Sequence, residues 1–259
     1  MTDALYVGAT GMRAHQTQVD TIANNVANVN TVGFRRESVN FSSVMAALQS
    51  GATDPLGSQL RETLQSRGAG AIASLQLSTQ AGELKQTQAP LDVAIDGAGF
   101  FEVLLPDGTP AYTRAGALSL NSEGMLAGAG LPLSARIAVP SDTRDLRITN
   151  DGRVMATVAD RSDVELGNIE LAAFANPAGL QSIGDNLYQA TGASGEMQLG
   201  APGEAGNGQL RQGFLESSNV QLVDELVSLM LAQRGFEMNS KIVQAADQML
   251  GITNSLYRG

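Results

Sequence analysis

Both ends of the chain read as long helices with an apolar seam, while nearly everything between them reads as short strands and turns. That pairing constrains the fold more than any other feature. Residues 3–28 place Leu5, Ala9, Met12, Gln16, Val19, Ala23 and Val26 at spacings of 4, 3, 4, 3, 4 and 3, a heptad a/d rhythm with one polar member. A seam this narrow suits the packing of helix on helix. The second helix is predicted over 219–256, with Ser218 and Gln221 in capping-box spacing and Asp224 and Glu225 near the positive end of its dipole. Behind that start run Leu222, Leu226, Leu229, Gln233 and Phe236, and then a shifted stripe of Ile242, Ala246, Met249 and Leu256, with Leu250 beside it. Two faces of one helix therefore call for burial, and a single partner helix hardly satisfies both.

At ~1.5 Å per residue these helices are roughly 40 and 55 Å long, more than a small β-domain covers. A buried Leu, Ile or Met is worth about 1.5 to 3 kcal/mol, against a net domain stability of ~5 to 15 kcal/mol, so leaving such a face in water costs a large share of the total. Other subunits are the expected partner. A stalk that closes on itself within a monomer is the alternative.

The 259 residues are 43% hydrophobic and 16% charged, enough for one sizeable core plus a smaller element. No apolar run approaches a membrane span, so no membrane insertion is expected. Met1-Thr2-Asp3-Ala4 lacks the basic and apolar regions of a secretory signal, which implies a signal-less route for any export. The formal charge of -10, from 26 acidic and 16 basic residues, offers no positive footprint for nucleic acid. With no cysteine, the chain has no disulfide, thiolate metal site or cysteine nucleophile, and it suits a protein that passes unfolded between redox compartments.

Asn28 to Gly33 reads as a turn, in which Gly33 takes positive φ without strain. Phe34, Val39, Phe41, Val44 and Met45 show mixed periodicity. Residues 48–74 are polar and rich in Gly, Ser and Gln, too long for an ordinary loop. From Leu91 the period becomes two, with hairpin turns at Pro106-Asp107-Gly108, Asn121-Ser122-Glu123-Gly124 and Asn150-Asp151-Gly152. An antiparallel barrel or sandwich is expected over 89–190, with 191–209 as a Gly- and Ala-rich linker. The fold class is therefore α+β: paired terminal helices in a coiled-coil-like inner domain (1–32 and 215–259), an extended connection (33–88) and an outer β-domain (89–214).

Catalytic constellations are absent from the pattern. His15 is the single histidine and lies near the helical seam, and no serine sits in a Gly-x-Ser-x-Gly elbow. Gly97-Ala98-Gly99 opens a strand rather than a helix, so it is no dinucleotide fingerprint. Asp92 and Asp96 on one strand face would stand about 13 Å apart, too far for a glycosidase pair. No catalytic residue, cofactor or metal is expected. Asn24, Asn25 and Asn28 are poor helix formers; they form either a solvated stripe or an amide network that fixes the register of packed helices.

Residues 23–36 (ANNVANVNTVGFRR) resemble the N-terminal signature of bacterial flagellar rod and hook proteins. LDVAIDGAGFFEV at 91–103, AYTRAGALSLNSEGML at 111–126 and GFLESSNVQLVDELVSLMLAQRGFEMNSKIVQAADQML at 213–250 are similar to three further blocks of that family, in the same order. The resemblance is to the distal rod branch: 89–214 has room for one β-domain, whereas hook proteins usually carry another, and 48–74 occupies the place of the rod-type insertion. SIGDNLYQATGASG at 182–195 is also rod-like. Gly235-Phe236 stands where the family more often has Ala-Tyr, and the stretch after Gly128 is shorter than usual.

The resemblance implies a non-enzymatic subunit of the basal body, exported unfolded by the flagellar type III apparatus. It would polymerise helically with copies of itself in the periplasm and meet other rod, hook and ring proteins. The terminal helices would line the export channel, with Leu5, Met12, Val19, Asn24, Asn25, Val26, Asn28, Gly33, Phe34, Leu222, Leu226, Leu229, Phe236, Ile242, Met249 and Leu250 as assembly residues. The tube would transmit motor torque to the hook. Proximal rod or hook-type subunits are the alternatives within the family, and a secreted binding or wall-degrading module is the alternative outside it.

Overall fold

A helix of 26 residues, α1 (Thr2–Ala27), opens the chain and one of 35 residues, α2 (Leu222–Leu256), closes it. The computed structural model describes residues 2–43, 71–158, 161–204 and 206–256. The fold class is α+β, with the strands mostly antiparallel. α1 ends where Asn28 begins a turn: the Thr31 N–H donates to Asn28 O at 3.1 Å, and the Thr31 hydroxyl bonds Asn28 Oδ1. Gly33 follows at φ +68, and a Cβ there would lie 2.4 Å from the Arg114 carbonyl, so both conformation and space exclude a side chain.

α2 starts three residues later than the sequence predicts. Its first helical bond runs from Glu225 N–H to Gln221 O, and the Ser218 hydroxyl accepts from Val220 N–H instead of capping the helix proper. Asn219 is occupied elsewhere, accepting the Arg36 N–H at 2.7 Å and donating to Gln80 O at 2.9 Å. Those bonds hold residue 219 outside the helix.

The chain divides into two compact units. The first joins the two helices to the strand Glu37–Ser43 and to residues 71–76 of the strand Ala71–Leu77 that pairs with it. Of the polar stretch 48–74, residues 48–70 lie outside the described residues, and the remainder is strand.

The second unit comprises residues 28–36 and 77–220. Its largest sheet has six strands in the order Gln181–Gly184, Leu187–Gln189, Pro110–Thr113, Phe100–Leu104, Leu171–Phe174 and Met197–Gly200. Neighbouring residues of one strand face opposite sides, and here both sides are buried. Phe101, Val103 and Leu171 enter one core with Leu126, Val154 and Leu210, while Phe100 and Ala172 enter another with Tyr112, Phe174 and Tyr188. The rings in the second core meet edge to face, Tyr112 and Phe174 at 4.8 Å and 81°.

The three predicted hairpin turns all form. Strand 100–104 pairs with 110–113, 118–120 with 126–128, and 143–148 with 153–158, with Gly108, Gly124 and Gly152 each at positive φ. The expected linker at 191–209 differs from the structure. Met197–Gly200 pairs antiparallel with Leu171–Phe174 as an edge strand, where backbone bonds suffice and apolar alternation is not needed.

Candidate assembly surface

α1 and α2 pack through their smallest residues. A Cβ on Gly8 would stand 2.6 Å from Val243 Cγ2, one on Gly11 2.7 Å from Asn239 Nδ2, and one on Gly235 2.6 Å from His15 Cε1. At the far end, Asn25 Nδ2 donates to Glu225 Oε2 at 3.3 Å. Partner positions on α2 descend as those on α1 climb, and each pair of numbers adds to 250 or 251, so the helices run antiparallel in one register. Ala232 and Ala246, 1% and 4% exposed, belong to the same stripe of α2. Glycine and alanine let the backbones approach closely and forfeit side-chain area in doing so.

This packed stripe sits one residue away from the seam predicted on α1. Residues 8, 11, 15, 22 and 25 turn inward, in place of 9, 12, 16, 19, 23 and 26, a rotation of about 100°. Ala9, Gln16 and Ala23 are exposed, and Met12, Val19 and Val26 are half-buried. Gln16 spends its amide on Asp20, 3.0 Å away on the same helix. On α2 the contrast is sharper. Leu222, Leu226, Phe236, Ile242 and Met249 are all exposed, Leu229 is half-buried, and Val223, Val227, Met230, Leu231, Met238 and Ile252 extend the exposed apolar surface. Leu5 and Leu250 lie on helix turns whose side chains fall outside the described residues.

The three asparagines separate. Asn24 is exposed, whereas Asn25 is 1% exposed and clamps the start of a strand. Its Oδ1 accepts the Glu37 N–H at 2.9 Å and its Nδ2 donates to Glu37 O at 2.8 Å, as a neighbouring strand would. The further bond to Glu225, itself fully buried, ties both helices to that strand. The carboxylate sits in the first turn of α2, where the helix dipole favours negative charge. Asn28 serves its own turn. Phe34 is 7% exposed within the β unit.

The β unit holds an ionic cluster that the sequence reading missed. Glu216 receives Arg35 Nη2 at 2.7 Å and Arg114 Nη2 at 2.9 Å, and it also accepts the Gly82 N–H at 2.8 Å. All three side chains are nearly inaccessible. Arg114 further donates to the carbonyls of Gly99 and Gly97 and lies over the Phe100 ring at 5.8 Å. Burial pushes the Arg114 guanidinium down to about 10 and lowers Arg35 as well, while Glu216 opposes both shifts. The signal lay in three motifs, GFRR, YTRAG and GFLESS, whose charged members are far apart in sequence.

Among the described residues, no group of three or more His, Asp or Glu side chains could hold a metal ion, and no helix is long and apolar enough to cross a membrane.

Residues 5–35 match the family described as flagella basal body rod protein, 94–156 the D1 domain of the flagellar hook protein FlgE/F/G family, and 211–256 the C-terminal region of the flagellar basal body rod FlgEFG family. The chain is 40% identical to the flagellar basal-body rod protein FlgG of Borreliella burgdorferi, with 100% of each chain covered. It is also 40% identical to the FlgG of Caulobacter vibrioides over 98% of each, and 27% identical to the flagellar hook-basal body complex protein FlhP of Bacillus subtilis over 99% of this chain and 100% of that one. With similarity running from end to end and all three matches in order, the chain belongs to the flagellar basal-body rod family.

Proposed function

We propose that this chain is a structural subunit of the flagellar distal rod, the shaft that carries motor torque to the hook. It assembles with other basal-body components and catalyses no reaction. The observation that carries this reading is the exposed apolar surface of α2 in a chain 40% identical over its length to FlgG proteins. Among the described residues, eleven large apolar side chains of that helix are at least a third exposed. At about 1 kcal/mol for each half-buried side chain that becomes covered, the gain is on the order of 10 kcal/mol, comparable to the whole stability of a domain.

Copies of the chain supply that cover by stacking helically around an export channel. Residues 1–32 and 215–259 form the inner, coiled-coil-like layer, 33–88 is the extended connection that carries the rod-type insertion, and 89–214 faces outward as a barrel or sandwich. The seam Leu5, Met12, Val19 and Val26 meets copies of the α2 stripe, since the face of α1 turned towards its own α2 is a different one. Export in the unfolded state through the flagellar type III apparatus suits a chain with no cysteine to oxidise on the way. Electron cryomicroscopy of concentrated purified subunit tests the reading. It predicts hollow helical tubes with both helices innermost; a stable monomer at all concentrations, or tubes lined by the β unit, would refute it.

A further inference from the structure

The ionic cluster of the β unit borders a cavity whose charge is unbalanced. Two guanidinium groups face a single carboxylate, and Glu216 is fully engaged by Arg35, Arg114 and the Gly82 N–H. The remaining donors are matched to neutral acceptors. Arg114 reaches the Gly99 and Gly97 carbonyls at 2.5 and 2.9 Å, and Arg35 Nη1 reaches Thr79 O at 3.2 Å and also Gln80 O. One donor is left over: Arg35 Nε–H is buried and has no acceptor among the described residues. Both arginines line a cavity of about 140 Å³, together with Gly97 to Phe100 and Leu77. That space holds several waters or a small organic anion.

A buried cation without a counter-ion is costly, and a buried N–H without an acceptor adds about 1 to 3 kcal/mol. A lone water satisfies the N–H but not the charge. A carboxylate satisfies both, since a bond to an ionised acceptor is roughly twice as strong as a neutral one.

We infer that the cavity beside Arg35 and Arg114 is a binding site for one carboxylate or a similarly small oxyanion, held by the Arg35 Nε–H and balancing the second positive charge. The ligand has two possible sources, an acidic side chain of a neighbouring copy or a free anion. The chain carries 26 acidic residues, so carboxylates are abundant on any neighbour. The first source rests on the assembly reading; the second does not.

The test is an acetate titration of the full-length subunit at constant ionic strength, followed through the Arg35 Nε–H resonance. A single saturable shift is expected, accompanied by the amides of Ala98 and Gly99. No shift, or one that grows linearly without saturating, means that water alone occupies the cavity and overturns the inference. Arg35→Lys keeps a cation opposite Glu216 but removes the Nε–H, and should weaken acetate binding at least tenfold; unchanged binding also overturns it. The wild-type titration stands by itself if that variant misfolds. Repeating it on assembled protein separates the sources: a response lost on assembly assigns the site to a neighbour's carboxylate, and a response retained assigns it to a free anion.

Discussion

The β unit and the helical unit treat their apolar residues in opposite ways. In the β unit both faces of the six-stranded sheet are covered, and Phe101, Val103, Leu126, Val154, Leu171 and Leu210 are at most fractionally exposed. In the helical unit the covered stripe is mostly small or polar: Gly8, Gly11, Ala14, Thr21, Asn25, Glu225, Ala232 and Ala246, with Ile22 as its one large apolar member among the described residues. Leu222, Leu226, Met230, Leu231, Phe236, Met238 and Met249 of α2 stay at the surface. One unit spends its hydrophobic surface on its own fold. The other leaves that surface open, for association in the proposed assembly, and keeps its helices together with close backbone approach and a few buried polar bonds. The difference implies that subunit stability lives in the β unit and assembly free energy in the helices.

Substitutions should separate those two quantities. The largest loss of subunit stability is expected from Glu216→Gln, which leaves two buried guanidiniums sharing a neutral amide; breaking such a pair costs about 3 to 5 kcal/mol. Chemical denaturation followed through the β unit measures it, and a loss below 1 kcal/mol would mean that the cluster is solvated. Leu126→Ala should cost about 2 to 5 kcal/mol by opening a cavity in a closed core. Leu226→Asp or Met249→Asp should leave the same denaturation midpoint nearly unmoved and abolish tube formation, since a charge would then enter a dry helix contact. Normal tubes from either variant would place the assembly face elsewhere.

A smaller effect is expected in acid. The Thr109 hydroxyl and N–H donate to Asp107 and hold its carboxyl below the usual carboxylate range. The folded value is depressed, so the contribution of this turn is fully present above the unfolded carboxylate range and is lost as pH falls through the lower folded value. Carboxyl resonances recorded against pH should show Asp107 titrating below its Thr109→Ala counterpart. Coincident titrations would remove the hairpin bond from the account.

The comparison also explains what could be read in the sequence. Turns such as Asn121 to Gly124 are legible because their chemistry is local: the Asn121 side chain accepts from Glu123 and Met125, and Gly124 supplies positive φ. The extent of α1 was legible for the same reason. Its packed face was not, because the apolar rhythm follows Leu, Val and Met, and Gly8, Gly11 and Gly235 carry no hydrophobic signal at all. The heptad pattern therefore pointed to one face while the subunit uses another, one residue around. Gly235, noted only as a departure from the family, is the position against which His15 packs. The Arg35, Arg114 and Glu216 cluster joins residues up to 181 positions apart, and no spacing rule reaches that far. The sequence left Asn25 open between a solvated stripe and an amide network, and gave no sign of its grip on the Glu37 backbone.

Amide hydrogen exchange, compared between the free subunit and assembled tubes, tests the division most directly. The account predicts that protection across residues 222–256 rises on the order of 100-fold or more on assembly, as contacts worth a few kcal/mol form. Protection across the β strands 100–104 and 171–174 should stay as it is in the free subunit. Full protection of α2 in a proven monomer, or a gain confined to the β unit, would contradict it.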